Sequence, residues 1–156
     1  MSNLTATIRR AELDDLQQLN NVMCRASLAV ETGEVLQQLL DKPEYLQLDP
    51  GLITSGQVIL AECDGVPIGF ASYLVSGSAE AELDGMFVDP KYWRRGVGRL
   101  LFEAVEHHLV ARQAAGIRVV AGVRAVEFYK SVGFLIAGEA KTALGPVVPV
   151  MTKALP

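Results

Sequence analysis

The spacing of apolar residues changes several times along this chain, and each change marks an element. Residues 5–10 alternate as a half-buried strand does. From Glu12 to about Ala29, Leu13, Leu16, Leu19, Met23 and Ala26 recur at helical spacing, with acidic residues in the first turn. A second helical piece, Val35 to Leu40, ends before Pro43. Pro43, Pro50, Gly51 and Gly56 punctuate the next stretch, which reads as irregular.

The strongest local signal is a hairpin. Val58-Ile59-Leu60-Ala61 and Ile68-Gly69-Phe70-Ala71-Ser72-Tyr73 flank Asp64-Gly65, a dipeptide suited to a tight primed turn. Glu80 to Val88 is a further strand, stopped by Asp89-Pro90. Val97, Leu100, Leu101, Ala104, Val105 and Leu109 then predict a long amphipathic helix to Ala115, ended by Gly116. Ile117 to Val123 is almost wholly apolar, as in a central strand covered on both faces. A helix from Ala125 to Ser131 closes at Gly133, and Phe134–Gly138 and Val147–Lys153 read as the last strands. No linker or repeat interrupts this order. The prediction is one mixed α/β domain over residues 1–156, antiparallel in its first half with a strand–helix–strand unit later.

Composition narrows the function classes. The 156 residues carry 14 basic and 18 acidic side chains, a net charge of −4 that argues against a nucleic-acid partner. Cys24 and Cys63 are too few for a disulfide scaffold, and neither they nor the two histidines have metal-site spacing. Arg9 and Arg10 precede any apolar stretch long enough for a signal peptide. No apolar run nears the roughly 18 residues that span a bilayer. The expectation is a soluble, cytoplasmic protein with no metal and no membrane partner.

One segment runs against the charge balance. Lys91, Arg94, Arg95 and Arg99 gather in Pro90-Lys91-Tyr92-Trp93-Arg94-Arg95-Gly96-Val97-Gly98-Arg99, between a predicted strand and a predicted helix. Glycines there let the backbone turn sharply and approach a ligand, and the amides of the helix start form an anion site. The phosphate-loop pattern GxxxxGK[ST] is absent, and the dinucleotide pattern GxGxxG fails because Leu101 fills its third glycine position. By itself, Gly96-Val97-Gly98 is equally a plain tight turn, and the arginines equally a solvated face.

In context, these residues resemble the Gcn5-related N-acetyltransferase (GNAT) family, whose pyrophosphate loop follows [Q/R]xxGx[G/A] after a strand ending Val-x-Pro. The chain reads Met86-Phe87-Val88-Asp89-Pro90 and then Trp93-Arg94-Arg95-Gly96-Val97-Gly98. Ile8-Arg9-Arg10-Ala11, the Asp64-Gly65 hairpin, Phe128-Tyr129-Lys130-Ser131-Val132-Gly133-Phe134 and Met151-Thr152-Lys153 extend the likeness over nearly the whole chain. Two positions depart from it: Trp93 replaces the usual Gln or Arg, and Gly122 stands where many members carry Asn.

The resemblance implies a central, mixed, mostly antiparallel sheet flanked by helices. It also implies acetyl-CoA as cosubstrate and an amine acceptor in a small molecule or peptide, with a non-catalytic acyl-CoA-binding domain as the alternative; a homodimer is left open. The amides of Arg94, Arg95, Gly96, Val97, Gly98 and Arg99 are then expected to hold the CoA pyrophosphate. Met86, Phe87 and Val88 are expected to pair with the pantetheine arm. Tyr129 matches the family tyrosine near the CoA sulfur. Glu82 lies eleven residues before the Gln/Arg position, as the catalytic glutamate does in some members. On an ideal strand Glu82 shares a face with Asp84, so Asp84 or a water chain is a second candidate base. The acceptor is expected at the first helices, at 41–57 and at 139–149, with Tyr45, Tyr73 and Trp93 as candidate cleft aromatics.

Overall fold

The computed structural model describes residues 5–75 and 79–156. Among the described residues, seven strands form one mixed sheet in the order β1-β2-β3-β4-β5-β7-β6. They are β1 (Thr7–Arg10), β2 (Val58–Cys63), β3 (Val66–Val75), β4 (Glu80–Val88), β5 (Gly116–Val120), β6 (Leu135–Lys141) and β7 (Val147–Ala154). The helices are α1 (Leu16–Val30), α2 (Gly33–Asp41), α3 (Pro50–Thr54), α4 (Val97–Ala111) and α5 (Val126–Ser131). The β1–β2, β2–β3, β5–β7 and β6–β7 pairs are antiparallel, whereas β4–β5, joined through α4, is parallel. Among the described residues, no helix is long and apolar enough to cross a membrane. The backbone divides into two compact units, 1–72 with 85–104, and 73–84 with 105–156.

The first unit is built on α1. Its period places Leu19, Val22 and Met23 on one face, where they join Ala11, Leu48, Ile53, Val58, Leu60 and Phe70 in a closed cluster. Leu19, Val22, Leu60 and Phe70 are fully shielded from solvent, and each contributes about 2 kcal/mol by leaving water. The β2–β3 hairpin turns at Asp64 (φ 52°) and Gly65 (φ 78°), the pair of left-handed residues that a type I′ turn requires. The stretch expected to be irregular contains α3. Asp49 caps it, its Oδ1 accepting the Gly51 N–H at 2.8 Å, and Pro50 opens the first turn.

In the second unit, Val105 and Leu109 of α4, Ile117 of β5, Phe134 and Met151 of β7 are all buried. Burial along β5 alternates, with Ile117 and Val119 covered and Arg118 half-exposed, so this strand is closed on one face only. The helix α4 stops at Ala111, before the expected glycine. Gln113 takes the left-handed conformation (φ 64°), and Ala114 N–H bonds Leu109 O at 3.0 Å while Gln113 N–H bonds Val110 O at 2.9 Å. That is a Schellman ending with glutamine in the position glycine usually fills. Gly116 instead begins β5.

Candidate acyl-donor turn and catalytic side chains

The basic segment lies where β4 passes into α4. Asp89 ends the strand: its N–H bonds Ile68 O on β3 at 2.8 Å, and its Oδ1 accepts the Lys91 N–H at 3.1 Å. This carboxylate is nearly buried, and Arg25 of α1 reaches its Oδ2 at 2.7 Å. A 3-10 turn, Pro90–Tyr92, follows. Trp93 then donates its indole N–H back to Val88 O at 2.7 Å, tying the turn to the strand it left. Arg94 (φ 62°) and Gly96 (φ 82°) are both left-handed, an alternation that curves successive amides around a concavity able to hold an anion.

Helix α4 begins immediately. Its first internal bond is Leu100 N–H to Gly96 O at 3.1 Å, so the amides of Gly96, Val97 and Gly98 precede the ladder at the positive end of the helix dipole. Val97 and Leu101 are buried and fix the helix start, while Arg94, Arg95 and Arg99 stay at the surface. The Arg95 guanidinium lies 5.8 Å from the Tyr92 ring centroid. The turn therefore combines oriented amides with a local positive field.

The three strand residues expected to pair with a ligand, Met86, Phe87 and Val88, are half-buried. Phe87 packs on Phe70, with ring centroids 5.5 Å apart. Among the described residues the β4–β5 ladder ends at Leu83↔Val119, and β4 runs on through these three. Gly69 on β3 permits their placement. A Cβ there would meet Phe87 O at 3.0 Å and Val88 Cα at 3.4 Å, both backbone atoms that cannot swing aside.

The candidate acid and base belong to the other unit. Ala81 and Leu83 are buried, so the alternation turns Glu82 and Asp84 to the opposite face together. Glu82 pairs across the ladder with Arg118, Oε1 to NH1 at 3.2 Å, with both side chains about two-fifths exposed. Tyr129 on α5 is buried between Phe128 and Phe134, each edge-on at 5.3 Å. Burial pushes its phenol up to about 12, so it keeps its proton throughout the neutral range.

The remaining candidates separate clearly. Tyr73 is wholly buried and belongs to the core, so it lines no surface cleft; Tyr45 and Trp93 are exposed. His107 is exposed and His108 half-buried on α4, and Cys24 and Cys63 are free thiols. A Cβ at Gly122 would meet nothing within 4 Å, so this position lacks a side chain without being crowded. Sequence reasoning missed the work of Trp93, Asp89, Arg25, Gly69 and Arg118. Asp89-Pro90 carried a local signal, as a capping residue before proline; Arg25 and Arg118 carried none, because their partners lie far away along the chain.

A sequence profile of the acetyltransferase (GNAT) family matches residues 16–134. The uncharacterized N-acetyltransferase YafP of Escherichia coli strain K12 is 28% identical over 131 residues, 81% of this chain and 79% of that protein. Among solved structures, the PaiA N-acetyltransferase of Thermoplasma acidophilum in complex with coenzyme A superposes with a TM-score of 0.80. It is 18% identical, over 97% of this chain and 99% of that one. A GCN5-related N-acetyltransferase from Rhodopseudomonas palustris gives a TM-score of 0.78 at 25% identity, over 99% of both chains.

Proposed function

Because this chain belongs to the acetyltransferase (GNAT) family, we propose that it transfers the acetyl group of acetyl-CoA to a primary amine of a small molecule or peptide. The observation that carries this reading is the turn at 93–98, where left-handed Arg94 and Gly96 lead into the open amides of α4. A pyrophosphate fits that arrangement of donors and charge. The amides of Arg94 to Arg99 hold it, and Arg95 and Arg99 add charge nearby. Main-chain groups of Met86, Phe87 and Val88 take the pantetheine arm as a strand takes an added strand. The CoA complex of the PaiA protein, with the same fold, supports the cosubstrate.

Acetyl-CoA supplies an acetyl thioester, and the chain manages two protons. An alkyl ammonium of pKa about 10.4 must lose one, which costs about 4.6 kcal/mol at neutral pH. Glu82, held in place by Arg118, accepts it directly or through water, with Asp84 on the same face as the second candidate. Tyr129 holds the proton that the leaving sulfur needs. Burial keeps that phenol protonated at neutral pH while making it a weaker acid than a free phenol. A non-catalytic acyl-CoA-binding domain is the second reading, favoured by the engagement of Glu82 with Arg118.

Tyr129→Phe separates the roles. Its turnover is expected to fall about 100-fold, the low end of general acid catalysis, with the acetyl-CoA KM within about twofold of wild type. Unchanged turnover would remove Tyr129 from the mechanism. Thermal stabilisation by CoA without turnover on any amine would favour the binding domain.

A further inference from the structure

Arg25 lies on the middle of α1, far in sequence from the donor turn, yet its guanidinium closes on the carboxylate that starts that turn. Nε donates to Asp89 Oδ2 at 2.9 Å and NH2 lies 2.7 Å from the same oxygen. The other oxygen, Oδ1, is taken by the Lys91 N–H at 3.1 Å, and the Asp89 N–H by Ile68 O at 2.8 Å. The Asp89 side chain is only 10% exposed, whereas that of Arg25 is 50% exposed. A carboxylate so shielded needs its charge answered locally.

The helix that delivers the guanidinium is itself fixed. Leu19, Val22, Met23 and Ala26 on α1 are buried, the first three within the cluster that includes Leu60 and Phe70 of the sheet. The chain of constraint therefore runs from the core through α1 and Arg25 to Asp89, and from Asp89 to the Lys91 amide and Pro90–Tyr92. Residues 94–98 follow within a few bonds.

We propose that Arg25 is a positioning residue for acyl-donor binding: it orients the amide-lined turn through Asp89 without itself touching the donor. This rests on the reading of that turn as the CoA site. Without Arg25, the Asp89 carboxylate loses its counter-charge and turns toward water, releasing the Lys91 amide and shifting the amides beyond it.

The test is CoA affinity, read by fluorescence of Trp93, the single tryptophan of the chain, together with steady-state KM and kcat. Arg25→Gln is expected to weaken CoA binding and raise the acetyl-CoA KM about tenfold, the lower range for a charged hydrogen bond, with kcat changed less than twofold. Arg25→Lys, which keeps the charge, should recover most of the affinity. Asp89→Asn should resemble Arg25→Gln, and the double variant should be no worse than either alone, since the two act as one unit. If Arg25→Gln lowers only the melting temperature and leaves CoA affinity intact, Arg25 is a stability contact and the proposal falls while the donor site stands. Additive losses in the double variant overturn it as well. Wild-type protein that binds no CoA overturns the site and this proposal together.

Discussion

Arg9 grips Asp15 with two parallel hydrogen bonds of 2.9 Å, one to each carboxylate oxygen, and also reaches Glu62 at 3.2 Å. Asp15 in turn accepts the Glu12 N–H at 2.7 Å, which pins the passage from β1 into α1. The Arg9 hydrogen bonds, with that amide, hold the Asp15 carboxyl below its ordinary value. A lowered folded value means that the ion pair stabilises the fold above the ordinary carboxylate pKa. That contribution is lost as the pH falls through the folded value. Asp15→Asn is therefore expected to cost about 1–2 kcal/mol at pH 7, discounted because Arg9 is over a third exposed. The melting-temperature gap to wild type, followed by circular dichroism, should narrow steadily as the pH drops below about 4. A gap that stays constant would show that the charge is not what Asp15 contributes. The sequence offered Ile8-Arg9-Arg10-Ala11 as a family likeness, but nothing local named Asp15 as the partner, because the pairing exists only once β1 meets the helix start.

The turn between β4 and α4 shows what an element adds to its residues. Its glycines and arginines were visible in the sequence, and the structure places them between strand and helix as expected. Its scaffolding was not visible: a tryptophan side chain bonded to Val88 O and an arginine conformation that L-residues avoid. The left-handed Arg94 costs about 1 kcal/mol relative to glycine. If the backbone carries donor binding, Arg94→Gly should stabilise the fold slightly and leave the CoA dissociation constant within about threefold. A much larger loss of affinity, measured by Trp93 fluorescence, would move the work to the guanidinium. The elements were misread from sequence for different physical reasons. Gln113 replaces the glycine that marks a helix end, and the Asp49-Pro50 start of α3 hides among turn-forming residues. Arg118 interrupts an otherwise apolar β5 because it faces Glu82 across the ladder.

Across the whole molecule, the order of strands and helices followed from periodicity and turn chemistry, and the parallel β4–α4–β5 unit was legible for the same reason. Strand order beyond neighbours in sequence was not, since β7 pairs β5 and places β6 at the sheet edge through contacts that no local pattern records. The charge picture also changes at this scale. A net of −4 over the chain coexists with surface arginines at 94, 95 and 99, gathered where β4 passes into α4. The release of free CoA thiol tests acetyl transfer from acetyl-CoA to an amine most directly. Purified wild-type protein, given acetyl-CoA and a panel of small amines, polyamines, amino acids and peptides, should release thiol above the no-acceptor rate with at least one amine and yield the matching N-acetylated product by mass spectrometry. Thiol release at the background rate with every acceptor, despite saturating acetyl-CoA, would contradict acetyl transfer by this chain.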